Sequence, residues 1–385
     1  MFLKSIEYAQ YEGTPRIWKL EGCTFGNINL IVGKNATGKS RALSIINALA
    51  NLLSGEDKLH YLSGNYIVEF DNEGQEVNYT LHYEDLSIIS EELNINSENK
   101  LQRKKDGIGS IYYAKLGKPI EFQTPTNELA VVARRDTIQH PFLEDLFNWG
   151  KYVRRYLFGT DMGKGQLAVL KKDEVKAEKQ LLNPKNTNLV IAMFLEGRKR
   201  YSVNFNEAII NDMNAIGYSL EDIGTHTPES IIIDSNFLPT EPVGLYVKES
   251  DLECMTDQVD MSQGMFRALS LIIQIHYSLF TSTPSCILID DIGEGLDFER
   301  SSALVKLLIE RAKNSSVQLI MATNDRFIMN NVPLEYWLVI QRVGGISKIY
   351  SQRNSPQLFE DFKLTGLNNF DFFSSEYYLK GNPQN

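Results

Sequence analysis

The order of apolar and polar positions sets out the elements of this chain before any motif is considered. Ile28 to Val32 is a continuous apolar run that stops at Gly33, and after Ser40 the residues Leu43, Ile46, Ala50 and Leu53 recur at helical spacing. That is strand, glycine-rich loop, helix. Tyr66 to Phe70 and Val77 to Tyr83 alternate apolar with polar on either side of Asp71-Asn72-Glu73-Gly74, which predicts an antiparallel hairpin, and Ile111 to Phe122 extends the strand signal. Asn94 to Asp106 is polar, lysine-rich and without period, so a loop is expected there. From Phe142 to about Tyr201 the pattern is mixed and helical. Ala208 to Ile223 is a second helical stretch, and a strand is expected from Ser230 to Ile233.

Phe266, Leu269, Ile272, Ile273, Tyr277 and Phe280 lie on a helix that is apolar almost all round, as expected of one buried on most faces. Ser285 to Ile289 and Val317 to Ala322 read as continuous apolar strands of a parallel sheet, with a helix from Arg300 to Ala312 between them. Tyr336 to Gln341 and Ser347 to Ser351, joined through Gly344-Gly345, predict a closing hairpin. There is no repeat and no heptad run. The expectation is an α/β fold: a mixed sheet with an antiparallel β layer and a helical insertion. It divides into an N-terminal lobe (1–141), a mainly helical insertion (142–229), a C-terminal lobe (230–352) and a tail (353–385).

Composition narrows the setting. The 385 residues are 43% hydrophobic and 23% charged, inside the ordinary globular range. A net charge of -10 excludes a globally basic nucleic-acid coat and leaves room for a regional contact. One region qualifies: Lys164, Lys171, Lys172, Lys176, Lys179, Lys185, Arg198, Lys199 and Arg200 outnumber Asp173, Glu174, Glu178 and Glu196, making DNA or an acidic protein a candidate partner. Cys23, Cys254 and Cys286 show no CxxC spacing, so neither a disulfide framework nor a zinc site is expected. The five histidines lack the spacing of paired metal ligands. No apolar run approaches the roughly 20 residues that cross a bilayer, and Met1 to Gln10 lacks the pattern of a secretory signal. A cytoplasmic protein with no membrane contact is expected.

The chemistry begins at Gly33-Lys34-Asn35-Ala36-Thr37-Gly38-Lys39-Ser40, which matches GxxxxGK[ST] between a strand and a helix, the context that gives the motif meaning. Glycines let backbone N–H groups approach phosphate, the helix start adds partial positive charge, Lys39 meets the β and γ phosphates, and Ser40 is a magnesium ligand. Arg41 follows directly and joins the expected nucleotide contacts. Ile287-Leu288-Ile289-Asp290-Asp291 is an apolar strand ending in two carboxylates: Asp290 is expected on magnesium and Asp291 on the attacking water. Met261-Ser262-Gln263-Gly264-Met265 opens the buried helix with a tight turn, in which Ser262 also suits an N-cap.

Walker A, long insertion, Ser-Gln-Gly, Walker B, Gly295-Leu296-Asp297 and Thr323-Asn324-Asp325, in that order, resemble the ABC ATPases of the SMC, RecF and OLD-like group across nearly the whole chain. Asp290-Asp291-Ile292-Gly293-Glu294-Gly295-Leu296-Asp297 and Ala322-Thr323-Asn324-Asp325-Arg326-Phe327 are similar to small stand-alone ATPases of prokaryotic phage defence, the ATPase subunit of PARIS-type systems among them. The resemblance implies a P-loop NTPase of ABC head type with ATP and magnesium as cofactors. It also implies that Ser262, Gln263 and Gly264 act on nucleotide held by a second copy, with Asp297 in a D-loop crossing that interface.

Two departures lower the expected turnover. Asp291 stands where the family has glutamate, and Asn324 where it has a histidine. Asp291 holds its carboxylate roughly 1 Å further from water, a displacement that costs about a hundredfold in rate, and Asn324 accepts no proton near neutral pH. Glu294 is a nearby alternative base. A glutamine usually joins metal and water in the family; Gln139 and Gln123 are the candidates, and the run into the following helix favours Gln139. Tyr11 or Trp18 are candidate platforms for adenine.

The function this implies is a slowly hydrolysing, ATP-binding ABC-type ATPase that dimerises head-to-head on ATP and regulates a separate effector, such as a nuclease, in anti-phage defence. A self-contained nuclease is disfavoured, because the residues after Asp325 are too few for a Toprim domain of about 100 residues. A DNA-repair ATPase of SMC or RecF type and an ABC-transporter subunit are the alternatives.

Overall fold

A computed structural model describes residues 1–169, 182–229, 242–313 and 315–380. Packing forms two compact units, one of Met1–Val153, Ser285–Leu288 and Ser315–Asn385, the other of Arg154–Pro284 and Ile289–Asn314. This grouping differs from the linear lobes drawn from motif order.

The first unit opens with β1 (Phe2–Gln10), β2 (Trp18–Thr24) and β3 (Ile28–Val32), the last buried at every position, followed by α1 (Lys39–Leu53). Six strands then form an antiparallel meander: β4 (Ser63–Asn72), β5 (Gln75–Glu84), β6 (Ser87–Ile95), β7 (Glu98–Lys104), β8 (Ile108–Tyr113) and β9 (Lys118–Gln123). The expected hairpin at Glu73-Gly74 is present, Asn72 facing Gln75.

The expected loop at 94–106 is instead the end of β6 and all of β7. Its period was hidden because one inward position carries a charge. Leu101 and Arg103 face the interior while Gln102 and Lys104 face solvent. Arg103 and Glu91 are both buried and lie 3.5 Å apart. Glu91 accepts from the N–H groups of Ala130 (2.7 Å) and Val131 (3.0 Å), and the Arg103 guanidinium donates to the Pro125 and Glu128 carbonyls. Each buried charge is thus matched by hydrogen bonds, without which burial costs several kcal/mol. Glu91 therefore holds the start of α2 (Ala130–Ala133). Next comes α3 (Leu143–Tyr152), whose Trp149 meets Phe70 of β4 edge-on at 4.8 Å and whose Gly150 lies against the Ala50 carbonyl of α1.

The stretch expected to be helical contains strands. β10 (Val153–Leu157) and β11 (Ala168–Val169) precede α4 (Val190–Ala215), and β12 (Leu220–His226) replaces the end of the second helical stretch. Tyr-Val-Arg-Arg-Tyr-Leu-Phe carries two arginines that disguise an otherwise apolar strand. The strand expected at 230–233 lies outside the described residues. The second unit continues with β13 (Pro242–Glu249), β14 (Thr256–Asp257) and α5 (Gln263–Thr281). β15 (Cys286–Asp290) passes from the first unit into the second at Leu288, and α6 (Phe298–Lys313) follows. Within this unit Asp212 of α4 is buried and bridges α5 and α6, with His276 Nε2 at 2.8 Å and the Arg311 guanidinium as its partners.

Back in the first unit are β16 (Gln318–Thr323), α7 (Arg326–Asn331), β17 (Trp337–Val343) and β18 (Ile346–Ser351). The strand order is β15-β16-β3-β17-β18-β2-β1-β4-β5-β6-β7-β8-β9. β3 is parallel to both neighbours, Leu319 facing Ile28 and Trp337 facing Leu30, and β2 is parallel to β18, whereas β1 pairs antiparallel with β2 and β4, and β4 to β9 pair antiparallel with one another. The sheet is mixed, as expected. Residues after 353 form α8 (Pro356–Lys363) and α9 (Asn369–Ser374), fastened by buried Phe359, Phe362, Phe372 and Tyr378. Burying such side chains contributes about 1.5–3 kcal/mol each.

Candidate nucleotide site

In the first unit the loop from Gly33 to Ser40 leaves the carboxyl end of β3, flanked by the ends of β16 and β17. Ala36 (φ 62°) and Gly38 (φ 107°) are left-handed, the second a conformation glycine adopts without strain. Such alternation turns successive backbone N–H groups toward one concave point, the anion-binding form of a backbone nest. Gly38 caps α1, so the helix start faces the same point. Lys39 is buried, and its ammonium arches over the loop to the carbonyls of Gly33 (2.9 Å) and Lys34 (3.3 Å).

Four other segments of the same unit reach this loop. Asn324, just past β16, donates through Nδ2 to Asn35 Oδ1 at 3.1 Å. Ser347 Oγ of β18 donates to the Thr37 carbonyl at 2.9 Å, and Arg342 of β17 to the Ala36 carbonyl at 3.4 Å. Glu376 pairs with Lys34 at 2.6 Å. Arg41 turns away from the loop: its guanidinium lies 3.9 Å over the Trp18 ring and donates to Gln10 Oε1 at 2.8 Å. Trp18 is 2% exposed with Arg41 on its face, so it offers no platform for adenine. Tyr11 is half-buried.

In the second unit, Asp290 ends β15 with its carboxylate buried and its Oδ2 3.3 Å from Arg155 Nη2; its carbonyl accepts from Phe158 N–H at 3.1 Å. Asp291 is left-handed (φ 52°), a conformation in which aspartate is among the better-tolerated side chains. The Asp291 carbonyl accepts from Glu294 N–H at 3.2 Å, and the Glu294 carboxylate packs over Gly159.

Ser262 is the N-cap of α5, accepting from Met265 N–H at 3.1 Å, and it is exposed. At Gly264 a β-carbon would come within 2.3 Å of the Gly295 carbonyl, so the Ser-Gln-Gly turn packs directly on the Gly295 to Asp297 segment. Arg267 fastens the same region, donating to the carbonyls of Gly159, Thr160 and Glu294 at 2.7–2.8 Å. The Arg300 N–H and then its guanidinium hold the Asp297 carboxyl below the usual carboxylate range.

Against solved structures, the chain is similar to an SMC head bound to the C-winged helix domain of ScpA, with a TM-score of 0.53 and 14% identity over 93% of this chain and 100% of that one. The chain has the SMC-head fold. An SMC head from Pyrococcus furiosus bound to the C-terminal domain of ScpA (TM-score 0.46, 14% identity, 94% and 99% coverage) and one from Thermotoga maritima (0.42, 15%, 91% and 99%) are also similar. No protein-family model matches, and no curated protein does.

On this SMC-head fold, the loop residues Gly33 to Ser40 and Asn324 share one unit and touch one another. The signature turn and the Asp297 segment do likewise in the other. Gln139 is held elsewhere by its backbone. Its N–H donates to Asp136 Oδ1 (2.7 Å) and its carbonyl accepts from Ala114 N–H (2.9 Å) beyond β8, and its side chain is exposed. Gln123 ends β9 and is also exposed.

Of the basic stretch, Lys171, Lys172, Lys176 and Lys179 lie outside the described residues. Lys164 donates to the Met261 carbonyl at 2.6 Å, beside Ser262, and Arg200 pairs with Glu196. Among the described residues no cluster of three His, Cys, Asp or Glu forms a metal cage, and no helix is long and apolar enough to cross a membrane. Sequence reasoning missed Arg155, Arg267, Arg342, Ser347 and Glu376. The Arg154-Arg155 doublet inside an apolar strand was the one local signal.

Proposed function

We propose that this chain is an ATP-binding, slowly hydrolysing ATPase of ABC type that dimerises head-to-head on ATP and regulates a separate effector in prokaryotic anti-phage defence. The observation that carries the reading is the loop itself: left-handed Ala36 and Gly38, the start of α1 and the Lys39 ammonium converge where a polyphosphate fits. Lys39 meets the β and γ phosphates, and Asn324, tethered to Asn35, presents its amide near the terminal phosphate.

Magnesium, when bound, would neutralise charge on the terminal phosphates; the Ser40 hydroxyl of the first unit and the Asp290 carboxylate of the second each carry an oxygen of the kind that ligates it. The second unit's carboxylates suit those tasks. Asp290 is paired with Arg155 at 3.3 Å, and Asp291 and Glu294, which both lie beside Gly159, are candidates to orient water. Exposed Ser262 on an N-cap suits a phosphate supplied by a second copy, because the same turn offers a hydroxyl and a helix start. The likeness of the motif order to phage-defence ATPases supports the role in defence, with a nuclease-like protein as effector.

Isothermal calorimetry on Lys39→Ala tests the core of this reading. Loss of tight ATP binding with the fold intact is expected, since the charge facing the phosphates is gone. Undiminished affinity would sink the P-loop assignment.

A further inference from the structure

We propose that Lys164 is a positioning residue for the signature turn: its ammonium fixes the peptide between Met261 and Ser262, so that Ser262 is oriented before a second copy arrives. The use of that orientation on a phosphate of the second copy rests on the composite-site reading above. The positioning itself is a property of the second unit alone, to which every residue involved belongs.

A peptide is planar and trans, so its C=O and N–H point in opposite directions and fixing one fixes the other. Lys164 Nζ donates to the Met261 carbonyl at 2.6 Å, which sets the direction of the Ser262 N–H in the same peptide. The Met261 N–H is taken by the Asp257 carbonyl at 3.1 Å. Asp257 is held in turn, since its carboxylate accepts from the Glu229 N–H at 2.8 Å and pairs with His226. Met261, buried, is thus gripped at both of its backbone polar groups. A hydrogen bond from a charged donor is roughly twice as strong as a neutral one, which suits a contact that must hold one peptide plane beside exposed Ser262.

The turn that carries Lys164 is fastened to the same helix. Met162 is left-handed (φ 50°) although it is not glycine, a state that persists only where the surroundings over-determine the backbone. Those surroundings are α5 and its approach. Arg267 donates to the carbonyls of Gly159 (2.8 Å) and Thr160 (2.7 Å), and Ser270 Oγ to that of Met162 (3.1 Å). Gln258 Nε2 donates to the carbonyls of Lys164 and Gln166, both at 2.8 Å, while its Oε1 accepts from Leu245 N–H at 3.0 Å. Side chains of the signature helix and of the chain leading into it therefore hold five carbonyls between Gly159 and Gln166. The bonds also run the other way: the turn returns Lys164, half-buried, to the residue before Ser262. An apolar side chain at 164 would cover the helix equally well and would orient no peptide.

Hydrogen–deuterium exchange on the nucleotide-free full chain reads the positioning directly, because the N–H groups of Met265 and Phe266 are bonded to the Ser262 hydroxyl and carbonyl. Lys164→Met should speed exchange of these amides about tenfold, the loss of one hydrogen bond from a charged donor, with α6 and the β4 to β9 meander unchanged. Lys164→Arg, whose guanidinium donates to the same carbonyl, should restore the wild-type rate. In sedimentation with AMP-PNP and magnesium, Lys164→Met should weaken self-association about tenfold and Lys164→Arg should recover it. Wild-type exchange in Lys164→Met overturns the proposal, as does failure of Lys164→Arg to rescue either readout. If Lys164→Met does not fold, Lys164→Gln, one atom too short for the carbonyl, takes its place and must give the same local change. A wild-type chain that does not associate refutes the composite site, and the exchange result then decides for Lys164 by itself.

Discussion

The side-chain amide of Asn324 donates to the side-chain oxygen of Asn35 at 3.1 Å, joining the end of β16 to the P-loop across 289 positions of sequence. An asparagine here holds its amide by the loop without taking up a proton near neutral pH. Asn324→Ala should therefore leave ATP affinity nearly unchanged while lowering kcat, on the order of a hundredfold for one lost transition-state donor. Steady-state phosphate release beside calorimetric Kd values checks it. Equal losses in both would make Asn324 a structural tether instead.

Asp291 sits at φ 52°, where aspartate and asparagine are tolerated better than longer side chains. Asp291→Asn keeps that backbone and removes the charge, so residual turnover should fall with nucleotide binding spared. Wild-type turnover should already lie well below the enzyme median of about 10 per second. Glu294→Gln, assayed beside it, identifies which of the two neighbouring carboxylates orients water. Fast wild-type hydrolysis indifferent to both substitutions would remove the pair from the mechanism.

Ser262 is exposed at the start of α5, so a bulky cation placed there disturbs little inside the unit. Loss of its N-cap bond to Met265 should cost roughly 1 kcal/mol of stability. Ser262→Arg should abolish ATP-dependent self-association, measured by sedimentation with a non-hydrolysable analogue. A wild-type chain that stays monomeric with the analogue would refute the composite site.

Asp212 is buried between α4, α5 and α6; burial opposes its charge, but hydrogen bonds from His276 and Arg311 hold its carboxyl below the usual range. A depressed folded-state value means stability that is present above the unfolded value, about 3.9, and is lost as pH falls through the folded one. Asp212→Asn should cost roughly 1–3 kcal/mol at pH 7, and the difference from wild type should shrink below about pH 4. Urea midpoints at the two pH values decide it. A difference that grows on acidification would mean that the carboxylate is not the stabilising form.

Local chemistry made part of this protein legible from residues alone. A phosphate loop is written in consecutive positions, because its strand, left-handed turns and helix start all lie within Ile28 to Leu53, so Gly38 and Lys39 announce it without reference to the rest of the chain. The buried strands Cys286–Asp290 and Gln318–Thr323 were equally readable from unbroken apolar runs. What pairs with these segments depends on contacts between residues hundreds of positions apart, and no local period encodes that. Arg103 looks like a loop residue until Glu91 and two carbonyls bury it, and Arg155 looks like a strand-breaking charge until Asp290 accepts it. Glu376 seemed part of a tail, yet burial of Phe372 and Tyr378 brings it to Lys34. A buried charge is specified by its partners, and only the tertiary structure supplies them.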